Sequence, residues 1–156
     1  LYVIVNGSKV VIFYLNLFSI SLPLIMTIED IYKKFPNEDS CIRFLEKLKW
    51  NGEPECPYCL SNSQTPIKDN RYHCNTCNIS YRVTVNTAMH KTKVDLQKWF
   101  YLIHLILGTN MSISLRNLGN ELGVTKDTAL RMSNKIKESV VKQDVLIQKI
   151  YNYERE

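Results

Sequence analysis

With 156 residues, 45% hydrophobic and 22% charged, the chain has room for one ordinary domain or two small ones and enough apolar side chains for packed cores, so it is not a disordered segment. Five Gly and five Pro exclude low-complexity sequence, and no repeat at solenoid periods is present. The net charge of +5 is unevenly placed: residues 91–137 hold eight Lys and Arg against three Asp and Glu, an excess equal to that of the whole chain. A local basic surplus suits either a phosphate-bearing partner or a solvated helix surface.

Residues 1–25 differ in character from the rest of the chain. They are apolar but interrupted by Asn16, Ser19, Ser21 and Pro23, with Lys9 as the one charge. A signal peptide needs a charged start and a small-residue cleavage site, which this stretch lacks. A membrane span needs about 20 mostly apolar residues, and the run after Lys9 is shorter and broken. We expect an extension before a natural start at Met26, non-native or disordered, with a membrane anchor as the alternative.

After Met26 the pattern turns globular. An N-terminal helical segment is expected over 26–52. Its helix starts at Pro36-Asn37-Glu38-Asp39 with Asn37 as N-cap, buries Cys41, Phe44, Leu45 and Leu48, and ends near Trp50-Asn51-Gly52. Cys41 on that apolar face is expected to be an inert buried thiol. Residues 53–90 hold short strand-like runs, Ile67-Lys68, Arg71-His73 and Ile79-Val83, with Asp69-Asn70 as a hairpin turn. A strongly apolar helix follows at 94–107, with Leu96, Trp99, Phe100, Ile103 and Leu107 along one buried face and Gly108-Thr109-Asn110 closing it. Helices near 114–122 and 125–138 and a tail helix in 139–156 complete an α+β reading.

Cys56-Pro57-Tyr58-Cys59 and Cys74-Asn75-Thr76-Cys77 are two C-x-x-C pairs with 14 residues between them. Each pair can bend into a knuckle presenting two thiolates, and the intervening hairpin brings the knuckles together. The expected product is a closed tetrahedral four-cysteine zinc site, structural because no coordination position stays open. Disulfides suit a secreted chain, and thioredoxin-like chemistry needs one C-x-x-C beside a βαβ unit. His73 adjoins a ligand but points to the other face of an extended strand. The residue after each pair favours positive φ. Asn78 adopts it at modest cost, whereas Leu60 does not, so strain or another turn is expected in the first knuckle.

In residues 114–136, SLRNLGNELGVTKDTALRMSNKI, the apolar anchors are Leu115, Leu118, Leu122, Val124, Ala129, Met132 and Ile136. Gly119 is small where two helices would cross, Gly123 supplies a turn, and Thr125 caps the second helix. This is helix-turn-helix spacing, although an ordinary helical hairpin has it too. A second helix lying in the major groove of DNA would present Lys126, Thr128, Arg131 and Lys135, with Arg131 on a guanine edge and Lys126 on a phosphate. Asp127 would repel phosphates or accept from a cytosine amino group.

The order of these parts resembles the N-terminal region of bacterial insertion-sequence transposases of the group numbered fifteen-ninety-five. The matching stretches are FPNEDSCIRFLEKLKWNGEPECPYC, RYHCNTCNISYRVTVNTAMHKTKVDLQKWF and ISLRNLGNELGVTKDTALRMSNKIKE, covering about residues 35–138. The family's ribbon cysteines fall on Cys56, Cys59, Cys74 and Cys77, while Leu60 and Asn78 replace its usual glycines. The resemblance implies a DDE-type nuclease domain further on, using two metal ions held by acidic residues. Here Asp144 is followed by Val145-Leu146 instead of the family's partners, and the residues after it are too few for such a domain.

The combined expectation is a small β-hairpin zinc ribbon flanked by an N-terminal helix and a C-terminal helix-turn-helix domain at 91–138. The chain would be cytoplasmic and without catalysis of its own, the truncated or stand-alone DNA-binding part of a transposase. Its partner would be double-stranded DNA such as transposon ends, with no small-molecule substrate and no membrane; self-association stays open. A transcription regulator or a protein-interaction module built from the same parts are the alternatives.

Overall fold

The computed structural model describes residues 26–108 and 114–154, together with two short paired strands, β1 (Val5–Asn6) and β2 (Lys9–Val10). The extension expected before Met26 otherwise lies outside the described residues, as does helix closure by Thr109-Asn110.

Helix α1 (Ile28–Lys34) starts with Thr27 and Asp30 capping each other's backbone N–H groups. Helix α2 (Glu38–Trp50) starts the same way, with Asn37 and Ser40 as the reciprocal pair. Glu38 and Asp39 in its first turn and Lys47 and Lys49 in its last complement the helix dipole. Asn51 ends it in the left-handed region, at φ 50. Cys41, Ile42, Phe44 and Leu45 form its buried stripe, and Leu48 packs at the margin.

Strands β3 (Gln64–Ile67), β4 (Arg71–Cys74) and β5 (Ser80–Tyr81) form an antiparallel sheet in that order. The β3–β4 turn holds Asp69 and Asn70 at φ 63 and 52, which Asp and Asn tolerate best among non-glycine residues. β3 lies upstream of the expected Ile67-Lys68 and contains Pro66. Proline donates no hydrogen bond, and β3 is an edge strand, where that donor can be spared. β5 is shorter than expected, because Val83 leaves the sheet and is buried among the helices.

Helix α3 (Leu96–Gly108) is enclosed more fully than its expected single apolar face requires: Gln97, Tyr101, Leu102, His104 and Leu105 are buried as well. It packs against α1, α2, α5 (Lys126–Val141) and α6 (Val145–Glu154), so little of its surface reaches water. Phe35, Phe44 and Phe100 cluster with centroids 5.0–5.7 Å apart. Two polar groups are accommodated there: Gln97 Nε2 donates to the Phe35 carbonyl at 3.3 Å, and His104 Nε2 accepts the Met26 N–H at 3.0 Å. Met26 is itself buried and belongs to the helical core.

Helix α4 (Leu115–Leu122) and α5 are joined by Gly123, Val124 and Thr125. The tail helix, α6, is part of the core, with Ile147 and Ile150 fully buried. Asp144 accepts the Leu146 N–H at 2.9 Å and so caps α6. No helix among the described residues is long and apolar enough to cross a membrane.

Because Ile150 is sealed in this core, Ile150→Ala should cost about 2–5 kcal/mol in urea unfolding. A change within about 0.5 kcal/mol would mean that α6 is only a surface appendage.

Candidate metal centre and neighbouring surfaces

The two knuckles are built alike. In the first, the Leu60 N–H donates to the Cys56 carbonyl at 2.9 Å and the Cys56 N–H donates to the Ser61 carbonyl at 3.0 Å. In the second, Asn78 donates to Cys74 at 2.9 Å and Cys74 to Ile79 at 3.0 Å. Leu60 and Asn78 sit at φ 60 and 59. Leu60 therefore adopts the same turn as Asn78 in spite of its side chain, and the first knuckle is the strained one. Leu60 is 69% exposed, so no packing offsets the strain.

The knuckles bring Cys56, Cys59, Cys74 and Cys77 together, with all four sulfurs within 4.8 Å of one another. The Cys56–Cys77 and Cys59–Cys74 sulfurs are 3.7 and 3.5 Å apart. A tetrahedron with zinc–sulfur bonds of about 2.3 Å has edges of about 3.8 Å, so this donor set fits zinc. His73 meets Ser80 Oγ at 3.4 Å across the sheet and is not in the sulfur group. Cys41 is buried in α2, away from it.

The sulfurs are electrostatically unequal without a cation. Backbone N–H groups, that of Cys77 foremost, pull Cys74 down to about 6. Against the Ser61 N–H, which acts to lower it, burial and the neighbouring sulfurs push Cys59 up to about 12. Burial likewise raises Cys77. A divalent ion removes this conflict, because it stabilises all four thiolates at once.

Helix α2 holds the ribbon from behind. Trp50 meets Tyr72 and Tyr81 edge-on at 5.5 and 6.0 Å, and those two rings stack at 5.9 Å. Lys49 Nζ donates to the Val83 and Val85 carbonyls at 2.9 and 2.7 Å, and burial lowers its pKa. Asn70 Nδ2 donates to Asp39 Oδ1 at 2.6 Å. Sequence reasoning took Trp50 only as a helix end and did not single out Lys49. The sole signal was a Trp three residues before an expected ribbon.

The α4–α5 turn follows the expected residues. Gly123 is left-handed at φ 61. A Cβ on Gly119 would lie 3.0 Å from the Val124 carbonyl oxygen, so the close crossing needs a glycine. Thr125 Oγ1 accepts the Thr128 N–H at 3.2 Å. Leu118, Leu122, Ala129, Met132 and Ile136 are buried; Leu115 and Val124 are half-buried. Lys126 and Arg131 are exposed, and Arg131 Nε donates to the Asp127 carbonyl at 3.3 Å. Thr128 is half-buried, with its hydroxyl 2.9 Å from that of Thr125. Lys135 Nζ reaches the His90 carbonyl at 3.4 Å.

Protein purified anaerobically should carry one zinc per chain by elemental analysis, and Cys41→Ser should leave that ratio unchanged. Structural zinc typically contributes about 10–16 kcal/mol of apparent binding energy at neutral pH, so strong chelation should unfold the ribbon. Metal-free protein retaining the same near-ultraviolet circular dichroism would contradict a structural role. Leu60→Gly should raise the stability of the zinc-loaded form by about 0.5–1 kcal/mol, because glycine relieves the left-handed strain.

Residues 36–80 match the family model described as the transposase zinc-ribbon domain. No curated protein and no solved structure matches the chain. The match starts at the foot of α2 and runs through β5, so it takes in the helix and the sheet that Trp50 and the Asp39–Asn70 contact tie together. Residues 36–80 are thus similar to a transposase zinc ribbon, and their four gathered thiols fit zinc binding.

Proposed function

We propose that this chain acts as the DNA-binding part of an insertion-sequence transposase, with α4 and α5 as a helix-turn-helix and α5 as the helix that reads duplex DNA such as transposon ends. The observation that carries this reading is the α4–α5 corner behind a transposase-type ribbon. A left-handed Gly123, a sterically required Gly119 and a Thr125 cap fix the crossing, and Lys126 and Arg131 stand exposed at the start of α5. Cys56, Cys59, Cys74 and Cys77 would ligate zinc, which braces the ribbon. Among the described residues, the four thiols are the one group of three or more metal-ligating side chains close enough to share an ion.

Of the four side chains expected on DNA, Lys126 and Arg131 are the strongest. Thr128 supports the cap as well as any contact, and Lys135 would have to leave the His90 carbonyl to reach a phosphate. A side chain this exposed turns at little cost.

Arg131→Ala should reduce discrimination between selected and random duplexes by about 1–3 kcal/mol, the usual worth of an arginine on a guanine edge. Lys126→Ala should weaken binding to both alike and lower the salt slope by about one unit. The measurement is a titration by fluorescence anisotropy at several salt concentrations. If both variants match the parent in affinity and slope, α5 is not the reader.

A further inference from the structure

A cleft of about 390 Å³ lies between the ribbon and the first turn of α2 and is open to solvent along the ribbon. Arg71, Arg82 and Lys91 line it and are all exposed. Its one carboxylate, Glu38, accepts the backbone N–H of Leu96 at the start of α3 and lies within electrostatic reach of Arg82. Asp69 stands 3.9 Å from Arg71, but both side chains are largely in water, where such a pair holds weakly. The cleft therefore presents three cations against one lining carboxylate, a net positive surface. Tyr58, 51% exposed on the first knuckle, adds an aromatic face with a hydroxyl at the rim.

The cleft connects to α5. His90 lines it and also lines the neighbouring depression bounded by Lys135 and Lys142. Lys135, whose ammonium meets the His90 carbonyl, is one turn beyond Arg131 on the same helical face. A line of positive charge thus runs from Arg131 through Lys135 to Lys91, Arg82 and Arg71. From Arg131 to Lys135 it follows one face of α5 for roughly 6 Å. The acids near this line are Asp127, exposed on α5, Glu138, paired with Lys142 at 2.7 Å, and Asp144, which accepts the Leu146 N–H.

We propose that the cleft between ribbon and α2 is a second nucleic-acid contact, in which Arg71, Arg82 and Lys91 hold the phosphate backbone of the same duplex that α5 reads. This rests on the reading of α5 as the DNA-binding helix. Exposed cations of this kind that meet phosphates add affinity and orientation and carry no sequence preference. The ribbon then serves as a DNA clamp as well as a brace.

The test uses the zinc-loaded full chain and fluorescently labelled duplexes across a salt series. Each phosphate neutralised contributes about 0.9 to the slope of log affinity against log salt. The triple variant Arg71→Ala/Arg82→Ala/Lys91→Ala should lower that slope by about 2–3 while the ratio of selected to random binding is unchanged. Arg71→Lys/Arg82→Lys should keep most of the slope. If the triple variant loses zinc, Lys91→Ala alone, outside the cysteine loops, should still lower the slope by about 0.9. A parent that binds duplex and loses discrimination with Arg131→Ala, while the cleft variants keep the parental slope, overturns the second contact and leaves α5 as reader. A parent that binds no duplex overturns both. Saturable binding of a mononucleotide that the triple variant loses would make the cleft a small-phosphate site and also overturn the proposal.

Discussion

The four sulfurs gathered within 4.8 Å are the constraint on which the ribbon depends. Its own buried cluster is small, consisting of Cys56, Cys74, Tyr81 and Val85, with Trp50, Tyr72 and Cys77 partly covered. So little apolar surface cannot offset the chain entropy of ordering two knuckles and three short strands. Bare thiols make matters worse, because the arrangement lowers Cys74 while raising Cys59 and Cys77. Zinc reverses that balance by holding all four sulfurs as thiolates, and is the strongest cross-link in the segment.

Order then spreads outward through contacts that cross between the ribbon and the helices. Holding Cys74 fixes β4 and therefore Tyr72, and the Tyr72–Tyr81 stack receives the edge of Trp50. Trp50 closes α2, whose middle turns bury Phe44 and Leu45 against the helical core. Lys49 secures the departing chain by taking two carbonyls of the 83–85 segment, which lacks strand partners for them. Val83 and Val85 divide between the two clusters, Val83 with the helices and Val85 with the ribbon. Helix and ribbon are packed as one unit for this reason, and the transposase zinc-ribbon match spans both.

The helical core has a different logic. α3 is enclosed because α1, α2, α5 and α6 all pack on it, and this fixes α5 by its inner side. Ala129, Met132, Ser133 and Ile136 face inward, so the charged residues of the same helix are left outside. The exposed cations of α5 are thus a consequence of how its apolar stripe is spent. The steric demand at Gly119 sets the crossing with α4, and no larger residue fits without moving the Val124 carbonyl.

Much of this was legible in the sequence wherever a local rule acts alone. The Asn37 cap, the Asn51 end of α2, the Asp69-Asn70 turn, the two knuckles and the Gly123 corner all follow from side chains acting on their own backbone. Paired C-x-x-C spacing was sufficient to assign the four thiols to one site, because few other arrangements use two such pairs around a hairpin. Tertiary structure decided the rest. Only packing could enclose α3 on every side, bury Ile147 and Ile150 of the tail helix, and spend Asp144 on a cap. Only packing could end β5 early to take Val83 into the helices, while the knuckle's own hydrogen bonds hold Leu60 in a left-handed turn that its side chain disfavours. The same holds for the Trp50 and Lys49 clamp and for the cationic cleft, whose parts lie far apart in the chain. Periodicity reports which face of one element is apolar; it carries no information about which other element arrives to cover it, and these features depend on that second element.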